Sequence, residues 1–231
     1  MTNMQMIIAL ATAPRRAFEA LAEKPRWLFP LLLLLASTLL LTIWYYSKVD
    51  LAWVVDEQLR NNPRTAALSE AQREQISGQM NSGMIMWTSV IAVVIVLVLI
   101  RVLEATWYLL AGKVMNVDRS FKQWFSLANW SSLPGVIAVI PAVIALLMAD
   151  TNQLDPGVLQ PLSLNELFFH RSAGDPGYQL LSNVSLLGLL GALLAIIGVK
   201  TWSARSWLFS TVFVLLPVAL IGGVWALFAL R

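Results

Sequence analysis

The chain has 231 residues, of which 58% are hydrophobic, and its mean hydropathy is +0.70. Only 13% are charged, about half of the roughly 25% found in soluble domains, so a soluble enzyme domain, a disordered chain and a collagen-like chain are excluded. The net charge is +3, and the absence of cysteine and the single histidine exclude disulfide frameworks, iron–sulfur clusters and multi-histidine metal sites. The composition predicts an integral membrane protein.

The first 26 residues are predicted to form a short amphipathic arm. Pro14 is typical of the first residue of a helix. We expect Phe18, Leu21 and Ala22 to face the lipid surface, with the polar side facing headgroups through Arg15, Arg16 and Lys24. An ordinary helix that contacts other loops is the alternative. A cleaved signal peptide would carry Lys or Arg before the apolar run, and residues 1–5 have neither, so none is expected.

Five apolar segments are long enough to cross a bilayer, which takes about 20 residues. They cover residues 28–46, 84–107, 133–149, 180–199 and 207–230. The predicted fold is therefore a single all-α membrane domain, a bundle of five transmembrane helices with the N-terminal arm. Its loops cover residues 47–83, 108–132, 150–179 and 200–206.

The distribution of basic residues predicts the orientation. Nine Lys and Arg fall in the arm and in the loops on its side, and six fall on the other side. By the positive-inside rule we expect a cytoplasmic N-terminus and a C-terminus on the opposite face. The bacterial cytoplasmic membrane is the expected location.

The first long loop, residues 47–83, contains two predicted short helices. Leu51, Val55 and Leu59 repeat at helical spacing, and the helix should end near residues 61–63. Ser69 and Gln72 form a capping-box pattern that opens a second helix toward Met80. The second long loop, residues 150–179, should consist mostly of turns, because it is interrupted by Asp-Pro-Gly and Gln-Pro sequences.

The loop between the second and third spans contains aromatic residues at helical spacing, Phe121, Trp124 and Phe125. This pattern predicts an interfacial helix that lies in the plane of the membrane. The alternative is an aromatic belt that completes the third span.

Arg101 and Glu104 are the only charges inside a predicted span, and their separation of three residues places them on one helix face. Trp87 and Trp107 are predicted to mark the two membrane interfaces, which puts Arg101 about 9 Å from the nearer one. We favour a pair that orients the bundle internally. A transport role and a contact to lipid or a partner are the alternatives.

The fourth span is rich in small residues at positions that allow two helix backbones to approach closely. This candidate packing or partner face comprises Ser185, Gly188, Gly191, Ala192, Ala195 and Gly198. Packing inside the monomer is the first interpretation, and docking of another membrane protein or a second copy is the other.

No sequence motif for catalysis is found. The chain has no glycine-rich phosphate loop, no G-x-S-x-G elbow and no H-E-x-x-H motif. We therefore predict no enzyme activity, no catalytic residue, no cofactor, no metal site and no nucleic-acid partner.

Three stretches resemble the Yip1 family. They are residues 13–30 with Pro14, Phe18 and Pro-Arg-Trp-Leu-Phe-Pro, residues 112–135 with Ser-Phe-Lys and Leu-Pro-Gly, and the tail over residues 187–225. The resemblance implies a five-span helical protein with a cytoplasmic N-terminus and no catalytic residues. Bacterial members of that family have short arms, and some accompany ABC-type exporters as accessory membrane subunits.

The expected function is that of a non-enzymatic scaffold or accessory subunit. Its expected partners are membrane lipids, other integral membrane proteins such as ABC-type exporter subunits, and a second copy of the chain. The alternative is a small transporter or channel that uses Arg101 and Glu104.

Overall fold

The computed structural model describes residues 1–62, 65, 67–79 and 81–229, and the side chains of all of these except residues 82 and 225–229. Within these residues the chain folds into helices joined by turns and contains no strand. The helices are α1 (Asn3–Thr12), α2 (Pro14–Glu23), α3 (Leu28–Lys48), α4 (Leu51–Asn61), α5 (Glu70–Gln79), α6 (Ser82–Val114), α7 (Phe121–Ser131), α8 (Pro134–Ile137), α9 (Val139–Met148), α10 (Tyr178–Asn183), α11 (Leu186–Ser203) and α12 (Trp207–Ala229).

Within the described residues, five segments are long and apolar enough to cross a membrane, which confirms the predicted all-α, five-span architecture. They are Leu28–Lys48, Gly83–Val114, Phe121–Met148, Leu186–Ser203 and Trp207–Val224. The third segment begins earlier than the predicted residue 133, because α7 leads through α8 into α9. The fourth begins later than residue 180, because Ser185 caps α11 and separates it from α10.

The short helices of the first long loop are where the spacing predicts them. Asp50 caps α4, and Ser69 and Gln72 make the reciprocal bonds of a capping box before α5. Some predicted features lie outside the described residues. They are the helix ends at Pro63, Met80 and Leu230 and the charges of Arg64 and Arg231.

The bundle has two ends, which we name by their contents. The N-terminal side carries α1, α2 and the turn between α11 and α12, and the long-loop side carries the described residues between 49 and 81 together with residues 149–185. The two long loops meet, since the Asp50 amide donates to the Asn152 carbonyl at 2.8 Å. The Tyr45 hydroxyl donates to the Leu154 carbonyl at 2.7 Å and attaches the second long loop to α3.

The apolar side of α2 in the N-terminal arm packs against protein. Phe18 and Leu21 are buried in the main core, while Arg15 and Arg16 are exposed as predicted. The Trp202 indole donates to the Phe18 carbonyl at 2.8 Å and fixes α2 against α11. The structure thus favours the alternative of a helix that contacts the rest of the chain, and the expected lipid-facing side is corrected.

Two backbone carbonyls at helices lack a helical partner, one because of Pro217 inside α12 and one because it precedes α3, and a tryptophan from another helix donates to each. Pro217 has no N–H to offer the Phe213 carbonyl, and the Trp107 indole donates to that carbonyl at 2.9 Å. The Arg26 carbonyl lies before the N-cap of α3, Trp27, and the Trp130 indole donates to it. Unpaired carbonyls are costly in an apolar interior, so both bonds connect helices where the backbone needs them.

Trp124 of α7 lies at the centre of the main core and is fully buried. Its ring is 5.6 Å from Tyr108 of α6, 5.1 Å from Trp202 of α11 and 5.6 Å from Phe213 of α12. These distances are typical of favourable aromatic pairs. One side chain therefore brings four helices together.

We expect Trp107→Phe to lower the free energy of unfolding by about 1–3 kcal/mol, because it leaves the Phe213 carbonyl unpaired. In a Pro217→Ala background the same substitution should cost less, since the alanine would supply the N–H that proline lacks. The measurement is unfolding by SDS in mixed micelles, followed by tryptophan fluorescence for all four chains. Equal costs in the two backgrounds would contradict the assigned role of Trp107.

Candidate functional site

Arg101 and Glu104 form the ion pair that their spacing predicts. The guanidinium lies 2.8 Å from the carboxylate, and both side chains are only about a fifth exposed (19% and 23%). The Tyr108 hydroxyl donates to the other carboxylate oxygen at 2.7 Å. Each carboxylate oxygen thus has a donor.

The same guanidinium closes the end of α7. It donates to the Ser132 hydroxyl and, at 3.4 Å, to the Ala128 carbonyl in the last turn of that helix. Carbonyls in a last turn lack helical partners, and a cation there is favoured by the helix dipole. Arg101 therefore joins α6 to the point where α7 gives way to α8, which is the geometry of an internal, orienting pair.

The small residues of the fourth span divide into two groups. Gly191 and Gly198 are buried where other elements approach them: a Cβ on Gly191 would lie 2.9 Å from the Ser131 carbonyl, and one on Gly198 would lie 2.7 Å from the Leu127 side chain and 3.1 Å from Phe18. Ala195 is also buried. This group packs inside the monomer.

The second group lies at the other end of α11. Ser185 caps the helix, and a Cβ on Gly188 would meet only the Ser185 hydroxyl, at 3.1 Å. Gly188 is exposed and Ala192 is half-buried. The close approach that small residues allow is thus used at one end of α11 and left open at the other.

The aromatic residues of α7 face the protein. A capping box of Ser120 and Gln123 opens the helix. Trp124 and Phe125 are buried, and only Phe121 is exposed, by 39%. The expected interfacial helix therefore presents most of its apolar face to the core, because Trp27, Tyr108, Trp202 and Phe213 surround it.

A cleft of about 490 Å³ opens between the two long loops. One wall comes from α4 and the other from the turn at residues 155–156 and from residues 173–179. The residues that line it are Trp53, Val54, Glu57, Gln58, Asn61, Asn62, Asp155, Pro156, Ala173, Gly174, Tyr178 and Gln179.

Sequence reasoning missed this cleft, although α4 contains a signal for it. Trp53, Glu57 and Asn61 follow one another at intervals of four residues and therefore share a helix face. The apolar repeat of Leu51, Val55 and Leu59 defines the opposite side of the helix and is the stronger pattern in the sequence. The opposite wall comes from a distant segment that no local pattern connects to α4.

Tyr178 and Asp155 are joined in the wall of the cleft. The Tyr178 hydroxyl donates to Asp155 Oδ1 at 3.0 Å, and the same oxygen accepts the Gly157 amide at 2.7 Å. Burial, with the Asp155 charge as the next cause, raises the pKa of Tyr178 to about 12. Tyr178 therefore stays a neutral hydrogen-bond donor at physiological pH.

Comparison with known proteins gives one match. The family model described as the Yip1 domain matches residues 8–228, nearly the whole chain. No curated protein and no solved structure matches the chain.

We expect Glu104→Leu to destabilise the fold by about 2 kcal/mol, somewhat less than the roughly 3–5 kcal/mol for a fully buried pair. The loss arises because Arg101 would keep its charge without a counter-ion. The double variant Arg101→Met, Glu104→Leu should recover part of the loss. SDS unfolding of the wild type, both single variants and the double variant gives the interaction energy. Strictly additive effects would argue against the pair.

We expect Gly191→Ala to lower the free energy of unfolding by about 1–3 kcal/mol, because its methyl group would collide with a backbone carbonyl that has little freedom to move. Gly222→Ala is the matched control: a Cβ there has nothing within 4 Å. Thermal unfolding in detergent compares the two. Similar melting temperatures for both variants would contradict the close contact of α11 with α7.

Proposed function

Because the chain belongs to the Yip1 family, we propose that it acts as a non-enzymatic accessory subunit or scaffold that binds another integral membrane protein. The observation that carries the proposal is the open small-residue end of α11. The binding surface, which we call the α11 open face, comprises Gly188, Leu189, Ala192 and Leu193.

Packing physics supports this surface. Helices in lipid associate through close backbone contact and not through the hydrophobic effect, since lipid tails are as apolar as leucine. Gly191 and Gly198 show how α11 uses this contact inside the monomer. Gly188 offers the same opportunity to a helix from outside, and the exposed Leu189 and Leu193 flank it.

An ABC-type exporter subunit is the partner we propose within this class, on the basis of the family resemblance. The proposed setting is a bacterial cytoplasmic membrane, with the N-terminus in the cytoplasm and the long loops outside. The distribution of basic residues supports this orientation.

The surroundings of Arg101 and Glu104 favour this function over transport. A relay of ions needs groups that can exchange partners near the middle of the membrane, contributed by more than one helix. Here the Glu104 carboxylate accepts hydrogen bonds from Arg101 and Tyr108. The Arg101 guanidinium also donates to backbone and hydroxyl oxygens at the end of α7. Arg101 thus joins α6 to α7, and Glu104 balances its charge from within α6.

The test places a photo-crosslinking amino acid at Leu189 on the α11 open face, in cells of the native host. Leu99 of α6 is the control position, because it is similarly exposed (50% against 52%) but has no small residue beside it. We expect an adduct with a distinct membrane protein from Leu189 only, which mass spectrometry identifies.

Gly188→Leu should reduce that adduct roughly tenfold, because an inserted side chain costs a close interface about 1–3 kcal/mol. Lipid adducts alone at both positions would contradict the proposal. An adduct with a second copy of the chain would replace the accessory role by self-association.

A further inference from the structure

The cleft between the long loops has no part in the proposed function, yet it has the dimensions of a ligand site. Its volume of about 490 Å³ falls within the range of roughly 300–1,000 Å³ that is typical of small-molecule sites. It lies between α4 and a segment that packs on α3 through the bond from Tyr45 to Leu154. Two separately anchored walls thus hold the cleft open.

Among the residues that the structure describes, the charged groups that line the cleft are negative. Glu57 and Asp155 line it, and no Lys or Arg does so among the residues that the structure describes. In the same described part of the chain, the ion pairs are Arg60 with Asp56, Arg73 with Asp56, and Arg101 with Glu104. Neither carboxylate of the cleft therefore has a cationic partner there.

The described cations of the long-loop side are engaged elsewhere. Arg60 and Arg73 share Asp56, which faces away from the cleft toward α5. The Arg171 guanidinium donates to the Pro176 carbonyl, and the Lys48 ammonium lies 5.8 Å from the Trp44 ring. These side chains would therefore not compete with an external cation for the carboxylates of Glu57 and Asp155.

Aromatic and apolar groups complete the lining. Trp53 and Tyr178 contribute rings, whose faces attract cations. Val54 and Pro156 provide apolar surface suited to an aliphatic stem. Asp155 Oδ1 is held by Gly157 and Tyr178, and Glu57 accepts the Asn61 amide at 2.9 Å, so both carboxylates are oriented before any ligand arrives.

We infer that this cleft binds an organic cation, an ammonium or guanidinium group on an aliphatic stem, between the carboxylates of Glu57 and Asp155 and the rings of Trp53 and Tyr178. A metal ion does not suit the site, since the described residues contain no group of three His, Cys, Asp or Glu that could hold one. The cation can belong to a free amine or to a basic side chain of a protein.

The experiment uses the full chain in nanodiscs of phosphatidylcholine, whose zwitterionic headgroups do not compete for cations. Three probes are titrated by saturation-transfer NMR: pentane-1,5-diamine, N-acetyl-lysine amide and the neutral N-acetyl-norleucine amide. We expect both cations to bind and the neutral analogue not to bind. A preference for the diamine identifies a free amine as the source, and a preference for the lysine derivative identifies a protein segment.

Variants connect the binding to the cleft. Glu57→Gln and Asp155→Asn should each weaken cation binding about tenfold or more, because each removes a charge-assisted hydrogen bond. Glu74→Gln is the matched control: it changes the net charge equally, and Glu74 is exposed on α5 away from the cleft. Ala173→Phe fills the cleft without changing charge and should abolish binding even if a charge variant folds poorly.

Equal binding of the neutral and cationic probes would overturn the inference. So would an equal loss in the Glu74 control, or unchanged binding to the Ala173→Phe protein. The α11 open face is unaffected by these substitutions. A negative result for cation binding therefore leaves the crosslinking test of that face independent.

Discussion

The structure depends on how helices in an apolar surrounding pair the backbone carbonyls that have no helical partner. Pro217 removes one helical hydrogen bond of α12, and the Arg26 carbonyl lies before the first helical hydrogen bond of α3. Inside an apolar bundle such carbonyls need a donor from the protein itself. Trp130 and Trp107 supply the missing donors from α7 and α6. The pairing of these carbonyls and the contacts between helices are therefore one feature, because each carbonyl accepts its hydrogen bond from a tryptophan of another helix.

The remaining polar groups of the bundle follow the same rule. Arg101 donates to backbone and hydroxyl oxygens at the end of α7, where the helical bonds run out, and Glu104 balances its charge. Trp202 donates to the Phe18 carbonyl. With Trp124 filling the space between them, these bonds make α7 the helix around which α2, α6, α11 and α12 are arranged.

The sequence predicts the membrane spans well, because the thickness of the bilayer sets their length. Long apolar runs such as residues 84–107 are recognisable because a span needs a minimum length, and Arg101 and Glu104 are recognisable because helical spacing brings them together. Helical periodicity also reveals that Phe18 and Trp124 lie on apolar faces. It does not reveal what covers those faces, since lipid and protein interior are equally apolar. The cleft is harder still to predict, because Glu57 and Asp155 meet only through tertiary folding.

The packing of the N-terminal arm on α11 has a consequence for biosynthesis. Phe18 packs on Gly198, and its carbonyl accepts the indole of Trp202, which is 184 residues further along the chain. A ribosome makes the arm first, but the surface that receives it exists only after the fourth span has been synthesised and inserted. Before that point the arm can contact only α7, through the bonds that Gln123 and Trp130 donate to the Ala22 and Arg26 carbonyls. The full attachment of the arm is therefore among the last steps of assembly.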